Sequence, residues 1–174
     1  MTYEDFLRDK MELAEETGFR VSRDELHPCL KPHQKDSIEW ALKGGRRAIF
    51  AKFGMGKTVM QIEFNRQVLI HEGGGRALFV VPLGVKQEFA HDAVELIGIE
   101  APKYITSMEE AQADGMYITN YERVRDGNID PKEFVSVTLD EAAVLRSFGS
   151  KTYQTFLQKF KGVKYKLCCT ATPD

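Results

Sequence analysis

A glycine-rich segment at residues 51–58, with the sequence AKFGMGKT, lies between a short apolar run at 48–50 and a stretch of helical character. A loop of this kind between a strand and a helix directs backbone N–H groups at phosphate oxygens, and the helix dipole adds positive charge beneath them. Gly54 and Gly56 let the backbone approach a ligand where a Cβ would collide. The segment therefore predicts a βα unit that binds a nucleoside triphosphate.

Six residues of this loop are expected to bind the nucleotide: Phe53, Gly54, Met55, Gly56, Lys57 and Thr58. Lys57 would reach the β- and γ-phosphates of ATP, and the Thr58 hydroxyl would ligate Mg²⁺. The usual pattern for such a loop begins with glycine, whereas this chain has Ala51 at that position. The alternative is a glycine-rich turn that caps an αβ unit and binds no phosphate.

The order of elements along the chain indicates an α/β fold. Short β-type runs lie at 48–50, 77–81, 104–106, 116–119, 135–139 and 165–169, and helical segments lie at 3–16, 32–42, 57–72, 85–97, 107–113 and 150–160. Such alternation is typical of βαβ crossovers and predicts a mostly parallel sheet with helices on both faces. Ligands of these sheets bind at the carboxyl ends of the strands, so the motifs should meet at one edge.

Composition limits the classes of function. The chain has 174 residues, 43% of them hydrophobic, which suits one domain with a substantial core. A net charge of −2 argues against coating nucleic acid by bulk positive charge, so any such contact would be local. The three cysteines show neither an even disulfide framework nor a metal-binding spacing, which favours a reducing compartment. Since no apolar run reaches membrane-spanning length, we expect a protein of bacterial or phage-infected cytoplasm without a membrane partner.

A pair of acids, Asp140 and Glu141, follows the β-type run at 135–139. An ATPase needs one acid to hold the Mg²⁺ that bridges the phosphates and another to orient and deprotonate the attacking water. Asp140 is assigned to the metal and Glu141 to the water, and Lys57 completes the predicted catalytic set. The alternative is a strand end followed by a helix N-terminus, where acidic residues are common.

The last β-type run leads into the segment TATP at 170–173, and the motifs in this order resemble the first RecA-like lobe of the superfamily-two helicases and translocases. These are the DEAD/DEAH-box proteins, and the similarity is greatest to their Swi/Snf-like branch, including proteins of phage type. The loop of this family begins with alanine, which Ala51 matches. The resemblance implies a P-loop, RecA-like three-layer sandwich at 30–174, preceded by an accessory helical segment at 1–29.

The same resemblance implies further functional residues. Gln34 would recognise the adenine edge, and Thr170 and Thr172 would couple the ATP state to the grip on nucleic acid. The nucleic-acid backbone would be contacted by Pro82, Leu83, Gly84, Lys86, Thr119 and Asn120. Swi/Snf-like relatives mostly translocate on duplex DNA, so the implied partner is duplex DNA, contacted through its phosphates. The implied function is that of the ATP-binding lobe of an ATP-dependent helicase or translocase, with ATP and Mg²⁺ as cofactors.

Two departures limit how much of the family's activity the chain should have. Ala143 stands at a position where many relatives carry His or Asp, a residue that helps link the nucleotide site to the coupling segment. The sequence ends at Asp174, directly after the coupling segment, without a second RecA-like lobe and its arginine finger. We therefore expect a fragment of a longer motor that by itself binds ATP weakly and hydrolyses it slowly.

Two other classes of function are open at this point. A P-loop phosphotransferase acting on small molecules would also use Lys57 and an aspartate, and its lid arginines would be Arg123 and Arg125. A non-catalytic module would bind nucleotide or a partner protein without turnover. The intact loop and acid pair argue against this last class.

Overall fold

A central sheet of parallel strands organises the protein. The computed structural model describes residues 15–171, apart from the side chains at positions 148 and 150. The strands are β1 (Arg46–Phe50), β2 (Arg76–Val81), β3 (Lys103–Tyr104), β4 (Gly115–Asn120), β5 (Ser136–Asp140) and β6 (Tyr165–Thr170). Their order across the sheet is β1-β6-β5-β2-β4-β3, and every pairing is parallel.

Helices connect these strands and cover both faces of the sheet. The α-helices of the described chain are α1 (Pro32–Gly44), α2 (Lys57–Glu72), α3 (Lys86–His91), α4 (Tyr121–Arg125) and α5 (Ser150–Lys159). A π-helical turn, Asp92–Ile97, continues α3, and 3-10 turns lie at Arg23–Glu25, Met108–Glu110, Pro131–Glu133 and Ala142–Phe148. Over residues 15–171, none of the helices has the length and apolar character needed to cross a membrane.

Two apolar clusters, one on each face of the sheet, form the core. Side chains alternate along β2, so that Phe79 and Val81 pack into one cluster and Leu78 and Val80 into the other. The first cluster includes apolar side chains of α1, α2 and α3, and the second includes those of α4 and α5. The result is three layers with an all-parallel sheet in the middle, which confirms the predicted α/β fold with helices on both faces of the sheet.

The ends of α1 and α2 follow from local chemistry. Pro32 occupies the first turn of α1, where its missing N–H has no intrahelical partner to lose. Gly56 precedes α2 with φ 78° and ψ 39°, and Gly73 ends the same helix with φ 73°. Both values lie in the left-handed region that favours glycine. The structure thus places α2 over the residues predicted from sequence.

Two of the predicted helices differ from the structure. The helix expected at 107–113 was wrong, because only the single 3-10 turn Met108–Glu110 forms there. The Glu110 carboxylate accepts hydrogen bonds from the backbone N–H groups of Thr106 and Ser107, which closes the turn on itself. The helix expected at 85–97 changes from α to π geometry at Asp92.

The segment that precedes α1 is anchored to the rest of the domain. The backbone N–H of Phe19 donates to the Leu42 carbonyl, and the Phe19 ring stacks on His71 with 3.8 Å between ring centres. Residues 15–31 contain one 3-10 turn, Arg23–Glu25. The predicted helix at 3–16 falls almost wholly outside the described residues, so the accessory segment stays a prediction.

Candidate nucleotide-binding site

The carboxyl ends of the parallel strands bring the predicted motifs together at one edge of the sheet. The loop at 51–58 follows β1, Pro82 follows β2, Asp140 ends β5 and Thr170 ends β6. These elements enclose a cleft of about 390 Å³. Its lining residues are Phe53, Gly54, Gly56, Lys57, Thr58, Pro82, Val85, Glu88, Asp92, Asp140 and Glu141.

The backbone of the loop is braced from behind by Gln34. The Gln34 side chain is buried, its amide nitrogen donates to the Met55 carbonyl at 3.0 Å, and its oxygen accepts from the Lys31 N–H at 2.9 Å. A Cβ added to Gly56 would lie 2.1 Å from the Gln34 amide nitrogen. The positive φ of 78° favours glycine at 56, and a Cβ there would displace the Gln34 amide from Met55. The adenine contact assigned to Gln34 stays a prediction.

A second cavity, of about 320 Å³, lies on the α1 side of the loop. Its walls include His33 and Ser37 from α1 and Met55 from the loop. It adjoins the loop at Ala51, Lys52 and Met55, and His33 in its wall is the sequence neighbour of Gln34. Sequence reasoning singled out neither His33 nor Ser37, because a lone His or Ser on a helix carries no signal by itself.

Lys57 and Glu141 are paired in the cleft. The Lys57 Nζ donates to Glu141 Oε2 at 3.1 Å, and the Thr170 hydroxyl donates to Glu141 Oε1 at 2.9 Å. Partial burial raises the pKa of Glu141, but the hydrogen bonds from Lys57 and Thr170 outweigh it, so the pKa lies below its ordinary value. Glu141 is also the sole non-glycine residue with positive φ (49°) in the described chain. Its carboxylate is an ionised acceptor, and its backbone has a conformation that residues other than glycine rarely adopt.

Asp140 lies deeper than its neighbour. Only 7% of the residue is exposed, and burial raises its pKa despite opposing contributions from Gln61 and Lys57. Gln61 Nε2 donates to Asp140 Oδ1 at 2.8 Å, and the Tyr121 hydroxyl donates to the Asp140 backbone carbonyl at 2.7 Å. Two acids adjacent in sequence therefore have opposite pKa shifts, because one is desolvated and the other is paired.

Thr58 contacts an acid that sequence reasoning missed. Its hydroxyl donates to Glu88 Oε1 at 2.8 Å, and Glu88 lies on α3 at the exposed mouth of the cleft, with Asp92 one turn further on. The spacing of four residues between Glu88 and Asp92 puts both on one face of the helix. That spacing was visible in the sequence, but which way the face points was not.

The donor set fits a magnesium ion that arrives with a nucleotide. Nowhere between residues 15 and 171 do three or more His, Cys, Asp or Glu side chains come together as a metal site. Magnesium is usually bound by one or two carboxylates plus substrate phosphates rather than by an all-protein cage. The Thr58 hydroxyl and the Asp140 carboxylate, both bordering the cleft, provide a set of that kind.

The residues assigned to nucleic acid separate into two groups. Pro82, Leu83, Gly84, Lys86 and Asn120 line a small cavity of about 210 Å³ at the same edge of the sheet. Thr119, by contrast, is fully buried, and its hydroxyl donates to the Ile105 carbonyl at 2.9 Å. The structure therefore does not bring Thr119 to this surface, because alternate side chains of a strand point to opposite faces.

Tyr104 joins this surface without having been predicted. Lys86 Nζ lies 4.4 Å from the centre of the Tyr104 ring, and Asn120 Nδ2 donates to the Tyr104 hydroxyl at 3.1 Å. The other side-chain atom of Asn120 caps α4 by accepting from the Arg123 N–H. Tyr104 thus orders both a cation and an amide at the edge of the sheet.

The remaining predicted positions are the coupling residues Thr170 and Thr172 and the candidate lid arginines. Thr170 contacts Glu141 as described, whereas Thr172 lies outside the described residues. Arg123 and Arg125, the candidate lid arginines, are on α4, and neither lines the cleft.

Known helicase and ATPase cores share this fold. The UvsW helicase from bacteriophage T4 has a TM-score of 0.68 over 99% of this chain and 61% of its own, at 16% identity. The SWI2/SNF2 ATPase core of Sulfolobus solfataricus in complex with dsDNA has a TM-score of 0.68 over 89% of this chain and 34% of its own, also at 16% identity. A further structure of T4 UvsW has a TM-score of 0.65 over 99% of this chain and 35% of its own, at 16% identity. No sequence-family profile and no curated protein matches the chain.

These similarities establish that the chain has the α/β fold found in these helicase and ATPase cores. The chain spans between about a third and three fifths of the length of the structures it matches. Fold alone does not assign a reaction, so the argument for function comes from the residues of the cleft.

Proposed function

We propose that the chain is the ATP-binding lobe of a nucleic-acid-dependent ATPase of the helicase and translocase type. The observation that carries this proposal is the meeting of Lys57, Thr58, Asp140 and Glu141 in one cleft at the carboxyl edge of the sheet. These four residues come from two separate segments of the sequence. Together they supply a phosphate-binding cation, two oxygen ligands for a metal and an acceptor for the proton of water.

Each of the four residues has a distinct role in hydrolysis. Lys57 binds the β- and γ-phosphates, while the N–H groups that begin α2 donate hydrogen bonds to the other phosphate oxygens. Thr58 and Asp140 would hold Mg²⁺, which would supply positive charge to the phosphates. Glu141 orients the attacking water and takes its proton, a role that its ionised state supports.

Nucleotide binding requires an exchange of partners at Lys57. Without phosphate, the Lys57 ammonium is paired with Glu141 at 3.1 Å. A triphosphate competes for this ammonium, and the release of Glu141 makes one of its oxygens available to water. The other oxygen accepts from Thr170, the first residue of the coupling segment, so nucleotide state and coupling segment share one carboxylate.

Duplex DNA is the proposed partner of the edge formed by Leu83, Gly84, Lys86 and Asn120. Exposed Lys86 supplies a positive charge, and the backbone N–H groups of a glycine-containing loop suit phosphate oxygens. Contacts of this kind position a strand without reading its sequence. A fold shared with an ATPase core solved in complex with dsDNA supports this choice.

A second RecA-like lobe is the proposed partner of the apolar surface around the cleft. Four large apolar residues that follow strand ends are exposed: Phe50 by 63%, Phe53 by 85%, Met55 by 42% and Leu83 by 71%. Exposed apolar groups next to a ligand site are typical of a surface that another domain covers. A second lobe would also supply an arginine finger, which raises turnover by about a thousandfold or more. The isolated chain should therefore bind ATP weakly and hydrolyse it slowly.

The proposal is tested by titrating a fluorescent ATP analogue into the wild-type chain and the Lys57→Ala variant in the presence of Mg²⁺. We expect the substitution to weaken binding by at least about tenfold, since a phosphate contact of a charged group is lost. Lys161→Ala, at an exposed position away from the cleft, is the control and should bind as the wild type does. Equal binding by wild type and Lys57→Ala would contradict the assignment of the loop.

A further inference from the structure

A buried glutamine on α2 contacts the proposed metal ligand directly. Gln61 is completely buried, and its Nε2 donates to Asp140 Oδ1 at 2.8 Å. It follows Lys57 by four residues, which puts the two side chains on the same face of the helix. One helix thus provides a donor to each member of the acid pair, Lys57 to Glu141 and Gln61 to Asp140.

Packing alone does not account for an amide at this position. The flanking residues Met60 and Ile62 are buried apolar side chains, and burying a polar group is unfavourable unless it is fully hydrogen-bonded. In the described part of the chain, Gln61 Oε1 has no hydrogen-bond partner. The fold therefore tolerates a half-satisfied buried amide, and within residues 15–171 its hydrogen bond is to Asp140.

The chemistry of the amide suits a carboxylate that has to keep its charge. A lysine or arginine at 61 would pair with Asp140 and compete with a metal ion for its carboxylate. The neutral amide instead fixes one carboxylate oxygen by a hydrogen bond and leaves the charge in place. Asp140 borders the cleft, and the oxygen that Gln61 does not bind is free of that constraint.

We propose that Gln61 is a positioning residue that orients the Asp140 carboxylate for the Mg²⁺ bound with nucleotide. This inference rests on the proposed function, because it assumes that Asp140 serves the metal. Residues that hold metal ligands in this way typically change metal affinity by about 10- to 100-fold when they are substituted. Sequence motifs of the loop and acid pair do not include Gln61, so its role follows from the three-dimensional contact.

The test compares Gln61→Met with Gln67→Met, a buried glutamine on the same helix that donates to Glu25 and Glu63 instead. A fluorescent ATP analogue is titrated into each chain in Mg²⁺ and in EDTA. We expect Gln61→Met to lose about tenfold or more of the affinity gained with Mg²⁺, and to match the wild type in EDTA. Gln67→Met should keep the whole gain.

The outcomes separate this inference from the proposed function. A wild-type chain whose affinity does not increase with Mg²⁺ would contradict the metal site itself. If Gln61→Met keeps the full increase in affinity that Mg²⁺ gives the wild type, only the role of Gln61 is overturned. A purely structural role would lower affinity equally in Mg²⁺ and EDTA, and this result would also overturn the proposal.

A measurement on the wild-type chain covers the case in which Gln61→Met does not fold. In a ¹⁵N-labelled sample saturated with nucleotide in EDTA, excess Mg²⁺ is added and the side-chain amide signals of glutamine are followed. We expect the Gln61 signal to move and the Gln67 signal to stay in place. An unmoved Gln61 signal in a sample whose Thr58 backbone signal does move would overturn the inference.

Discussion

The nucleotide cleft and the edge formed by Leu83, Gly84, Lys86 and Asn120 lie on the same side of the sheet, yet their polar groups have different kinds of partner. We call the second surface the DNA edge, because DNA is its proposed partner. In the cleft, Lys57 binds Glu141 and Thr58 binds Glu88, so a ligand has to displace internal partners. At the DNA edge, Lys86 is exposed and lies over the Tyr104 ring. The polar groups of the cleft are therefore held by acidic side chains, whereas Lys86 is exposed and lies on an aromatic ring. Substitutions should have large and specific effects in the first region and small, salt-dependent effects in the second.

The largest effect is expected for Gly56→Ala. The new Cβ would force the Gln34 amide away from Met55 and hold position 56 at an unfavourable positive φ, which costs about 1–2 kcal/mol before any contact is counted. We expect nucleotide affinity to fall more than about tenfold in the analogue titration. Gly73→Ala shares the positive φ but meets nothing within 4 Å and lies at the far end of α2. This control should lose about 1 kcal/mol in urea unfolding and keep its nucleotide affinity.

Asp140→Asn should raise the stability of the protein at pH 7 and abolish the affinity for nucleotide that is gained with Mg²⁺. Burial raises the Asp140 pKa, so the charged form opposes folding, and the associated stability is lost as pH rises through the raised pKa. The neutral variant avoids this loss, and we expect its melting temperature at pH 7 to increase by a few degrees. The affinity gained with Mg²⁺ should disappear in the analogue titration. A variant that melts below the wild type at pH 7 would show that the Asp140 charge is stabilising in the folded protein.

Glu141→Gln should lower stability at pH 7 and raise nucleotide affinity, the reverse of the two effects expected for Asp140→Asn. The Glu141 pKa is lowered, so its contribution to stability is present above the ordinary carboxyl pKa and is lost as pH falls through the lowered value. We expect a loss of about 0.5–1 kcal/mol at pH 7 that vanishes in acid, measured by urea unfolding at several pH values. Because Lys57 is then released from its partner, affinity for the ATP analogue should rise severalfold. Unchanged affinity would mean that the Lys57–Glu141 pair does not compete with phosphate.

The smallest effect is expected at the DNA edge, from Lys86→Ala. Loss of one phosphate contact should weaken duplex binding evenly across sequences and reduce the slope of log affinity against log salt by about one. Fluorescence anisotropy with labelled duplexes at several salt concentrations measures both quantities. Thr119→Val is the comparison, since the Thr119 hydroxyl is bonded to Ile105 inside the core. It should reduce stability by about 1 kcal/mol and leave the salt slope unchanged.

Local sequence signals were sufficient for most of the fold and for part of the site. Five of the six β-type runs became strands, because each combines apolar residues with a following turn or loop, as at Val81 before Pro82. The run at 104–106 overlaps a strand only at Tyr104, since β3 spans Lys103–Tyr104. The loop at 51–58 and the acid pair are contiguous motifs, and so they were found. The helix predicted at 107–113 does not form. The Glu110 carboxylate accepts hydrogen bonds from the backbone N–H groups of Thr106 and Ser107 and limits the segment to one turn.

The missed site residues share one property, which is that their role exists only through tertiary contact. Gln61 and Glu88 are separated from their partners by 79 and 30 positions, and each would read as an ordinary polar residue of a helix. Thr119 shows the reverse error. A residue in a suggestive motif was assigned to a surface, but the alternation of side chains along β4 buries it.

The position of β1 has a consequence for the synthesis of this protein. β1 is an edge strand whose pairing within the described residues is with β6, from Arg46 opposite Lys166 to Phe50 opposite Thr170. The strand that leads into the phosphate loop therefore pairs with a strand from the opposite end of the described residues. Pairings of such long sequence separation form late, because closing the intervening chain is entropically costly. A chain interrupted before residue 165 should have no formed nucleotide site, so ATP binding should begin only after β6 has been synthesised and has paired with β1.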